Sequence, residues 1–158
     1  MTLPEGIPLF PRPVPACNAL NASPYVVDFA MFESAFAFNA HRRSLLAAAR
    51  ETIAAATAAG AEPLALLVGG GFVDRRKAAP KDLDCILFFR GDAAATAALM
   101  DIQQGANRAS VDLRFVPVHP NPILALKACA FFATLYSVDR ASREAAKGSV
   151  LIDIGSVE

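Results

Sequence analysis

The stretch that most constrains the fold is residues 64–89. A short apolar run, Leu64–Val68, precedes three glycines at 69–71, and a loop rich in Arg and Lys follows. The chain then reads Asp-Leu-Asp at 82–84 and continues as a second apolar run to Phe89. Short apolar runs bounded by turn-forming residues are typical of buried strands. The stretch therefore predicts two β-strands, Leu64–Val68 and Asp82–Phe89, joined by a glycine turn and a basic loop.

Asp82 and Asp84 are one residue apart where the second predicted strand begins. Alternate side chains of an extended chain share a face, so the two carboxylates are expected to point the same way. Like charges at that separation repel, and a cation between them relieves the repulsion. Mg²⁺ prefers one or two carboxylates together with water and phosphate oxygens. The pair predicts a magnesium site, and the alternative is a turn with solvated acids.

Composition indicates one globular domain that has no strong attraction to nucleic acid or membranes. Of the 158 residues, 54% are hydrophobic, and 15 basic residues balance 15 acidic ones. No apolar run approaches the roughly 20 residues that a membrane span needs. The three cysteines are widely spaced, which predicts neither a disulfide framework nor a zinc site. The N-terminus lacks the pattern of a signal peptide, so we expect a cytoplasmic protein.

Hydrophobic periodicity predicts an α+β (α/β-like) fold. Residues 1–25 are rich in proline and predict an irregular N-terminal arm, either packed or mobile, before a single domain over residues 26–158. Helical periodicity starts after Asp28 and ends near Gly60, as one helix or as two helices separated at Asn39. The other predicted elements are a helix over 93–104, a strand over 110–118, a helix over 123–136 and a strand over 149–154. This order predicts a small mixed β-sheet flanked by helices.

Asp112 lies near the start of the predicted strand over 110–118, in phase with Arg114. If this strand lies beside the Asp82–Phe89 strand, three carboxylates meet and could hold two metal ions. The alternative is an ordinary ion pair between Asp112 and Arg114. Glycines 69–71 either let the backbone approach a phosphate and donate N–H groups to it, or form a simple tight turn.

The motif resembles that of the nucleotidyltransferase superfamily, which has the DNA polymerase β-like fold. Gly70-Gly71, ten intervening residues, the acids Asp82 and Asp84, and the later strand acid Asp112 match it in order and spacing. The resemblance implies that the three aspartates bind Mg²⁺ or Mn²⁺ and that Asp112 is also the base-side carboxylate. The two glycines would hold the triphosphate of an NTP. Many members carry Ser at the position of Gly71, whose hydroxyl helps to bind phosphate.

More loosely, residues 28–154 resemble small stand-alone bacterial members of that superfamily. The shared features are Arg42-Arg43, Gly-Gly-Phe-Val at 70–73, Pro-Lys-Asp-Leu-Asp at 80–84 and Lys-Gly at 147–148. The resemblance implies a minimal nucleotidyltransferase-type domain. Such a domain would transfer a nucleoside monophosphate from an NTP to a hydroxyl on a protein, RNA or small molecule. The alternative is a catalytically silent nucleotide-binding or protein-interaction module, such as an antitoxin-like partner of a toxin.

The basic residues have two interpretations each. Arg75, Lys77 and Lys81 either neutralise the triphosphate or belong to a solvated loop. His41, Arg42 and Arg43 form either a solvated helix face or a basic ridge that faces the substrate.

The aromatic residues of the first helical region also allow two interpretations. Phe29, Phe32, Phe36 and Phe38 lie on turns of one predicted helix, and they form either a face for a homodimer or part of the core.

Overall fold

The computed structural model describes residues 3–10, 14–139 and 147–155. In these ranges four α-helices flank one five-stranded mixed sheet, which confirms the predicted α+β fold. The helices are α1 (Phe29–Phe36), α2 (Ala40–Ala58), α3 (Ala93–Arg108) and α4 (Pro122–Ser137). The strands are β1 (Tyr25–Val27), β2 (Glu62–Val68), β3 (Leu83–Arg90), β4 (Val111–Pro117) and β5 (Val150–Asp153). A 3-10 turn covers Val14–Ala16.

Polar side chains start each of the four helices. Asp28, Asn39, Asp92 and Asn121 each accept a hydrogen bond from the backbone N–H three residues further on, at 2.7, 2.9, 2.8 and 3.4 Å. Each bond satisfies a first-turn donor that has no partner inside the helix. Asn39 therefore divides the first helical region into two helices, and Gly60, at φ +92°, follows the end of the second.

The sheet has the strand order β1-β5-β2-β3-β4. β1 is parallel to β5 and β3 is parallel to β4, whereas β2 is antiparallel to both of its neighbours. The strands on either side of the glycine turn, β2 and β3, therefore form an antiparallel pair. β4, which carries Asp112, lies beside β3, and this meets the condition on which a three-acid site depends.

Side-chain alternation divides the sheet between two hydrophobic clusters. One face packs against α1, α2 and α3, and the other face packs against α4. The side chains of β4 alternate between the two faces, because Val111, Leu113 and Phe115 contact the larger cluster while Val116 contacts the smaller one. In β3, Ile86 and Phe88 belong to the smaller cluster, so the face that carries Asp84 and Asp112 is the face that α4 covers.

The described part of the N-terminal arm packs against the domain. Ile7 is only 2% exposed and belongs to the larger cluster. Its carbonyl accepts a hydrogen bond from the Gly148 N–H at 2.6 Å, and the Tyr25 hydroxyl donates to the Pro8 carbonyl at 2.7 Å. Tyr25 is also the first residue of β1, a strand that the sequence did not predict. Of the two interpretations of the arm, the packed one therefore describes residues 3–10.

The aromatic residues of the first helical region are mainly core residues. Phe32 and Phe36 are fully buried, Phe29 packs against the same cluster, and only Phe38 is substantially exposed. The core interpretation is therefore confirmed for Phe32 and Phe36. None of the helices in the described ranges is both long and apolar enough to cross a lipid bilayer.

Candidate functional site

Asp84 and Asp112 are direct neighbours across the parallel β3–β4 pair. Their Cα atoms are register partners, and in-register side chains of neighbouring strands point to the same face. Asp84 is 8% exposed, whereas the side chain of Asp112 is about half exposed. Asp82 lies one residue before β3 and is partly buried. The predicted convergence of the later strand acid with Asp84 is therefore present in the fold.

The glycine turn lies against the Asp84 carboxylate. The Gly69 N–H donates to the Asp84 carbonyl at 3.1 Å, which continues the β2–β3 ladder into the turn. Gly70 has φ +61°, and a Cβ atom at this position would overlap the carboxylate of Asp84. Only glycine combines that left-handed backbone with such a close approach. Gly71 differs, because a Cβ there would lie 3.8 Å from the Nζ of Lys77, at ordinary contact distance.

Tyr136, near the end of α4, covers the acids on one side. Its ring lies directly against Gly69. Burial raises the pKa of the Tyr136 phenol far above its usual range, and the negative charges of Asp84 and Asp112 act in the same direction. Burial and the same two aspartates raise the pKa of the Cys85 thiol. Both groups therefore stay neutral beside the carboxylates.

Arg42 is fully buried and holds the segment that follows the glycine turn. Its guanidinium donates to the carbonyl oxygens of Phe72 at 2.7 Å, Asp74 at 2.9 Å and Lys77 at 2.9 and 3.2 Å. A further bond reaches the carbonyl of Phe36 at 3.3 Å. Both predicted interpretations of Arg42, a solvated face and a substrate-facing ridge, are wrong. The planar, five-donor guanidinium fixes the loop backbone instead.

The sequence contains a signal for this burial. Arg42 precedes Leu45, Leu46 and Ala49 by three, four and seven residues, so it lies on the apolar stripe of α2.

Two neighbours of Arg42 attach the rest of the loop to the start of α2. The Asn39 amide donates to the Ala78 carbonyl, and the His41 Nε2 lies against the Pro80 carbonyl, each at 2.7 Å. The loop backbone is therefore fixed, although its basic side chains are exposed.

The basic side chains of the loop have different environments. Arg76 pairs with Asp74 at 2.9 Å, and its hydrogen bonds hold the pKa of that carboxyl below its usual range. Arg75 is exposed and lines a neighbouring cavity, and Lys81 is exposed. Lys77 lies beside Gly71. Of the cations predicted to bind phosphate, Lys77 is thus the one whose ammonium group lies against the glycine turn.

Lys147 is a site residue that the sequence analysis did not assign. It is partly buried, and its burial and the charge of Lys77 lower its pKa, while Asp74, Asp139 and Asp84 act in the opposite direction. The side chain lines a cavity together with Asp74 and Asp139. The sequence shows Lys147 only as part of the Lys-Gly pair at 147–148, and its long distance along the chain from the glycine turn gives it no predicted role there.

Asp84 and Asp112 are the described carboxylates that could contribute to a metal site. Within residues 3–10, 14–139 and 147–155, no three His, Cys, Asp or Glu side chains form a group that could hold a metal ion. Arg114 approaches Asp112 at 3.8 Å, but both side chains are about half exposed, and such pairs contribute little. Mg²⁺ bound with phosphates commonly takes one or two protein carboxylates, which Asp84 and Asp112 could supply. Asp82 lies one residue before β3, and the three aspartates do not form a metal-holding group among the described residues.

Of the comparisons with known proteins, the one with protein-family models finds a match. No curated protein and no solved structure matches the chain. A family model matches residues 1–153, a span that contains the glycine turn, the three aspartates and Lys147. The chain therefore belongs to DUF6932, a family of unknown function.

Proposed function

We propose that this protein is a nucleotidyltransferase that uses Mg²⁺ or Mn²⁺. It would transfer a nucleoside monophosphate from an NTP to a hydroxyl group of a protein, an RNA or a small molecule. One observation carries the proposal: Asp84 and Asp112 are paired on adjacent strands, with the backbone of Gly70 against the Asp84 carboxylate. The motif resemblance to the nucleotidyltransferase superfamily supports the same reaction.

The proposed reaction is one displacement at phosphorus. The oxygen of the acceptor hydroxyl forms a bond to the α-phosphorus, and the bond from this phosphorus to the oxygen that bridges to the β-phosphate breaks. Pyrophosphate leaves with that electron pair, and the hydroxyl proton passes to Asp112. The Asp112 side chain is half exposed and can be reached by an acceptor, whereas Asp84 is nearly buried. A bound metal ion would supply charge neutralisation at the phosphates and a lower pKa for the acceptor hydroxyl.

The glycine turn and the loop would position the triphosphate. Backbone N–H groups at Gly70 and Gly71 can donate to phosphate oxygens, because no Cβ shields them. Lys77 lies beside Gly71, and Arg75 and Lys81 add positive charge from the exposed part of the loop. Catalysis would come from positioning and charge stabilisation. Such a reaction needs a supply of NTP and Mg²⁺, which favours a cytoplasmic protein.

The second candidate is a catalytically silent nucleotide-binding or protein-interaction module. The specific observation in its favour is the outer face of α4, where large apolar side chains are more than half exposed. They are Ile123, Leu124, Leu126, Phe131 and Leu135. Exposed apolar surface on one helix is typical of a contact with another protein. An antitoxin-like role, in which the domain contacts a toxin, would use that face and need no transfer reaction.

A transfer assay tests the first candidate. Purified protein is incubated with Mg²⁺ and NTPs labelled at the α-phosphate, alone and with RNA or a protein extract, and pyrophosphate release is followed. We expect transfer by the wild type and a loss of about 100-fold or more in Asp84→Ala, because a group that stabilises transition-state charge is removed. Asp101→Ala, an exposed carboxylate on α3, is the matched control and should keep full activity.

The outcomes separate the candidates. Metal-dependent NTP binding without any product supports the silent module. No binding of any NTP, measured by calorimetry, overturns the nucleotidyltransferase and the nucleotide-binding form of the module together.

A further inference from the structure

A cavity of about 580 Å³ opens beside the basic loop. Its walls include Phe38 from the α1–α2 connection, Arg75 and Arg76 from the loop, and Lys147 before β5. Pockets for small ligands are commonly about 300–1,000 Å³. The cavity therefore has the size of a nucleotide site, and it shares Lys147 with the surroundings of Asp84.

One wall of the cavity is a supported aromatic ring. Phe38 is 45% exposed, and the guanidinium carbon of Arg42 lies 4.6 Å from the centre of its ring. The same guanidinium lies 4.7 Å from the centre of the buried Phe72 ring. Arg42 is itself held by carbonyl oxygens of the loop, so the Phe38 ring rests on a fixed cation. Exposed rings in such positions are stacking surfaces for flat ligands.

Positive charge that could bind an anionic ligand lies beside this ring. Arg76 is neutralised by Asp74, but Arg75 and Lys147 also line the cavity, and Lys77 is close enough to Lys147 for the two ammonium groups to repel. An anion between the two lysines would relieve that repulsion.

Acids also contribute to the cavity walls. Glu5 and Asp139 line it together with Asp74. A phosphate chain whose charge is partly neutralised by Mg²⁺ suits such a mixed wall better than a free polyanion does.

We propose that this cavity binds the substrate nucleotide, with the base stacked on Phe38 and the phosphates directed to Lys147 and Lys77 beside the glycine turn. The inference rests on the proposed function, because the ligand is the same NTP, and it adds the position of the base. Recognition by stacking and charge accepts any base, since every base has a flat face. The protein is therefore expected to bind several Mg-NTPs with similar affinity.

A fluorescence titration tests the stacking directly. The chain contains no Trp, so Phe38→Trp introduces a single indole whose emission reports on a stacked base. We expect saturable quenching by Mg-ATP and Mg-GTP and none by Mg-tripolyphosphate, which has no base. Phe131→Trp is the matched control, because Phe131 is 59% exposed on α4 and does not line the cavity. Absence of saturable quenching in Phe38→Trp, or equal quenching in both variants, overturns the proposal.

Calorimetry separates the base from the phosphates. Phe38→Leu should weaken Mg-ATP binding about tenfold, in line with the loss of one stacked base, and leave tripolyphosphate binding unchanged. Lys147→Gln should weaken both ligands to a similar extent, whereas Lys127→Gln, an exposed lysine on α4, should weaken neither. Equal losses of both ligands in Phe38→Leu would contradict a base stacked on Phe38.

The proposal and the proposed function can fail separately. Quenching of Phe38→Trp by Mg-NTPs without any transfer by the wild type would support the nucleotide site and exclude the transfer reaction. Transfer that depends on Asp84, with the same Michaelis constant for NTP in Phe38→Leu as in the wild type, would support the enzyme and exclude stacking of the base on Phe38. Circular dichroism and thermal melting of each variant check that the fold is retained.

Discussion

At the scale of single residues, Gly70 and Asp84 depend on each other. The left-handed backbone of Gly70 brings the turn against a nearly buried carboxylate, so a side chain added at position 70 would displace Asp84. This contact joins the phosphate-binding part of the candidate site to its acidic part. A defect at the glycine is therefore expected to affect the fold as well as the chemistry.

Gly70→Ala should destabilise the protein by about 2 kcal/mol or more, because a left-handed non-glycine residue costs about 1–3 kcal/mol and the new Cβ also meets Asp84. Gly105→Ala is the control. Gly105 lies inside α3 with open space around it, and alanine there should stabilise the protein by about 0.5–1 kcal/mol. Urea unfolding measures both changes. A Gly70→Ala variant that is as stable as the wild type would contradict the described turn.

Gly71→Ser tests the departure from the superfamily pattern. The position has ordinary contact space, so the variant should fold as the wild type does. The added hydroxyl can donate to a phosphate oxygen, and one hydrogen bond of about 0.5–1.5 kcal/mol corresponds to a Kd for Mg-ATP about two- to tenfold lower. Calorimetric titration gives the Kd. A higher Kd for Mg-ATP in a folded Gly71→Ser protein would argue against a phosphate at this turn.

The buried phenol of Tyr136 predicts a loss of stability at alkaline pH. Its pKa is raised in the folded protein, so above the ordinary value of about 10 the unfolded chain releases a proton that the folded chain keeps, and the free energy of unfolding falls. One such group contributes a slope of at most about 1.4 kcal/mol per pH unit. Stability measured between neutral and strongly alkaline pH should fall less steeply in Tyr136→Phe. Identical slopes in the two proteins would show that Tyr136 does not titrate in this way.

At the scale of elements, helix α2 supports the basic loop. Its N-cap and first residues hold five loop carbonyl groups beyond the glycine turn, three of them through Arg42. Regular elements and their caps follow from local sequence, because periodicity and capping side chains are local signals. The loop does not follow from local sequence, because its conformation depends on a side chain about 30 residues away.

Arg42→Ala should destabilise the protein by about 3 kcal/mol, since buried carbonyl groups left without a donor cost about 1–3 kcal/mol each. Arg42→Lys should recover only part of this loss, because an ammonium group cannot reach the same set of carbonyls. Arg43→Ala removes an exposed arginine with one bond to the Ala37 carbonyl and serves as the control. Trypsin cleavage after Arg75 should be faster in Arg42→Ala under conditions in which the protein remains folded. An unchanged rate of cleavage would contradict the role of Arg42 in fixing the backbone of the basic loop.

At the scale of the whole molecule, distant parts of the sequence complete the structure. The N-terminal arm contacts the segment before β5, and β1 pairs with β5 at the edge of the sheet. Proline-rich composition predicted an irregular arm but gave no indication of β1, because a strand of three residues is too short to show alternation. The shared face of Asp84 and Asp112 could be predicted from strand phase, and the register between β3 and β4 confirms that they are neighbours, whereas the three-acid site with Asp82 stays a prediction. The places of Lys147 and Phe38 in the proposed nucleotide cavity could not be predicted, because only the tertiary fold brings these residues together.

Ile7→Ala tests whether the arm is part of the core. Ile7 is almost fully buried, and truncation of such a side chain costs about 2–5 kcal/mol. Leu20→Ala, in the same arm but 79% exposed, should change stability by less than about 0.5 kcal/mol. Chemical unfolding of both variants gives the comparison. Equal small effects would indicate an arm that contributes little to the folded state.

The register between β3 and β4 has a consequence for how the acids are held. If β4 slipped by one residue, Asp112 would move to the side of the three helices and Leu113 would move towards α4. Burying a charge among apolar side chains costs several kcal/mol, so this error is strongly disfavoured. Packing on the far side of the sheet therefore fixes Asp84 and Asp112 side by side on one face. The proposed metal site would use carboxylates whose positions the hydrophobic core has already set.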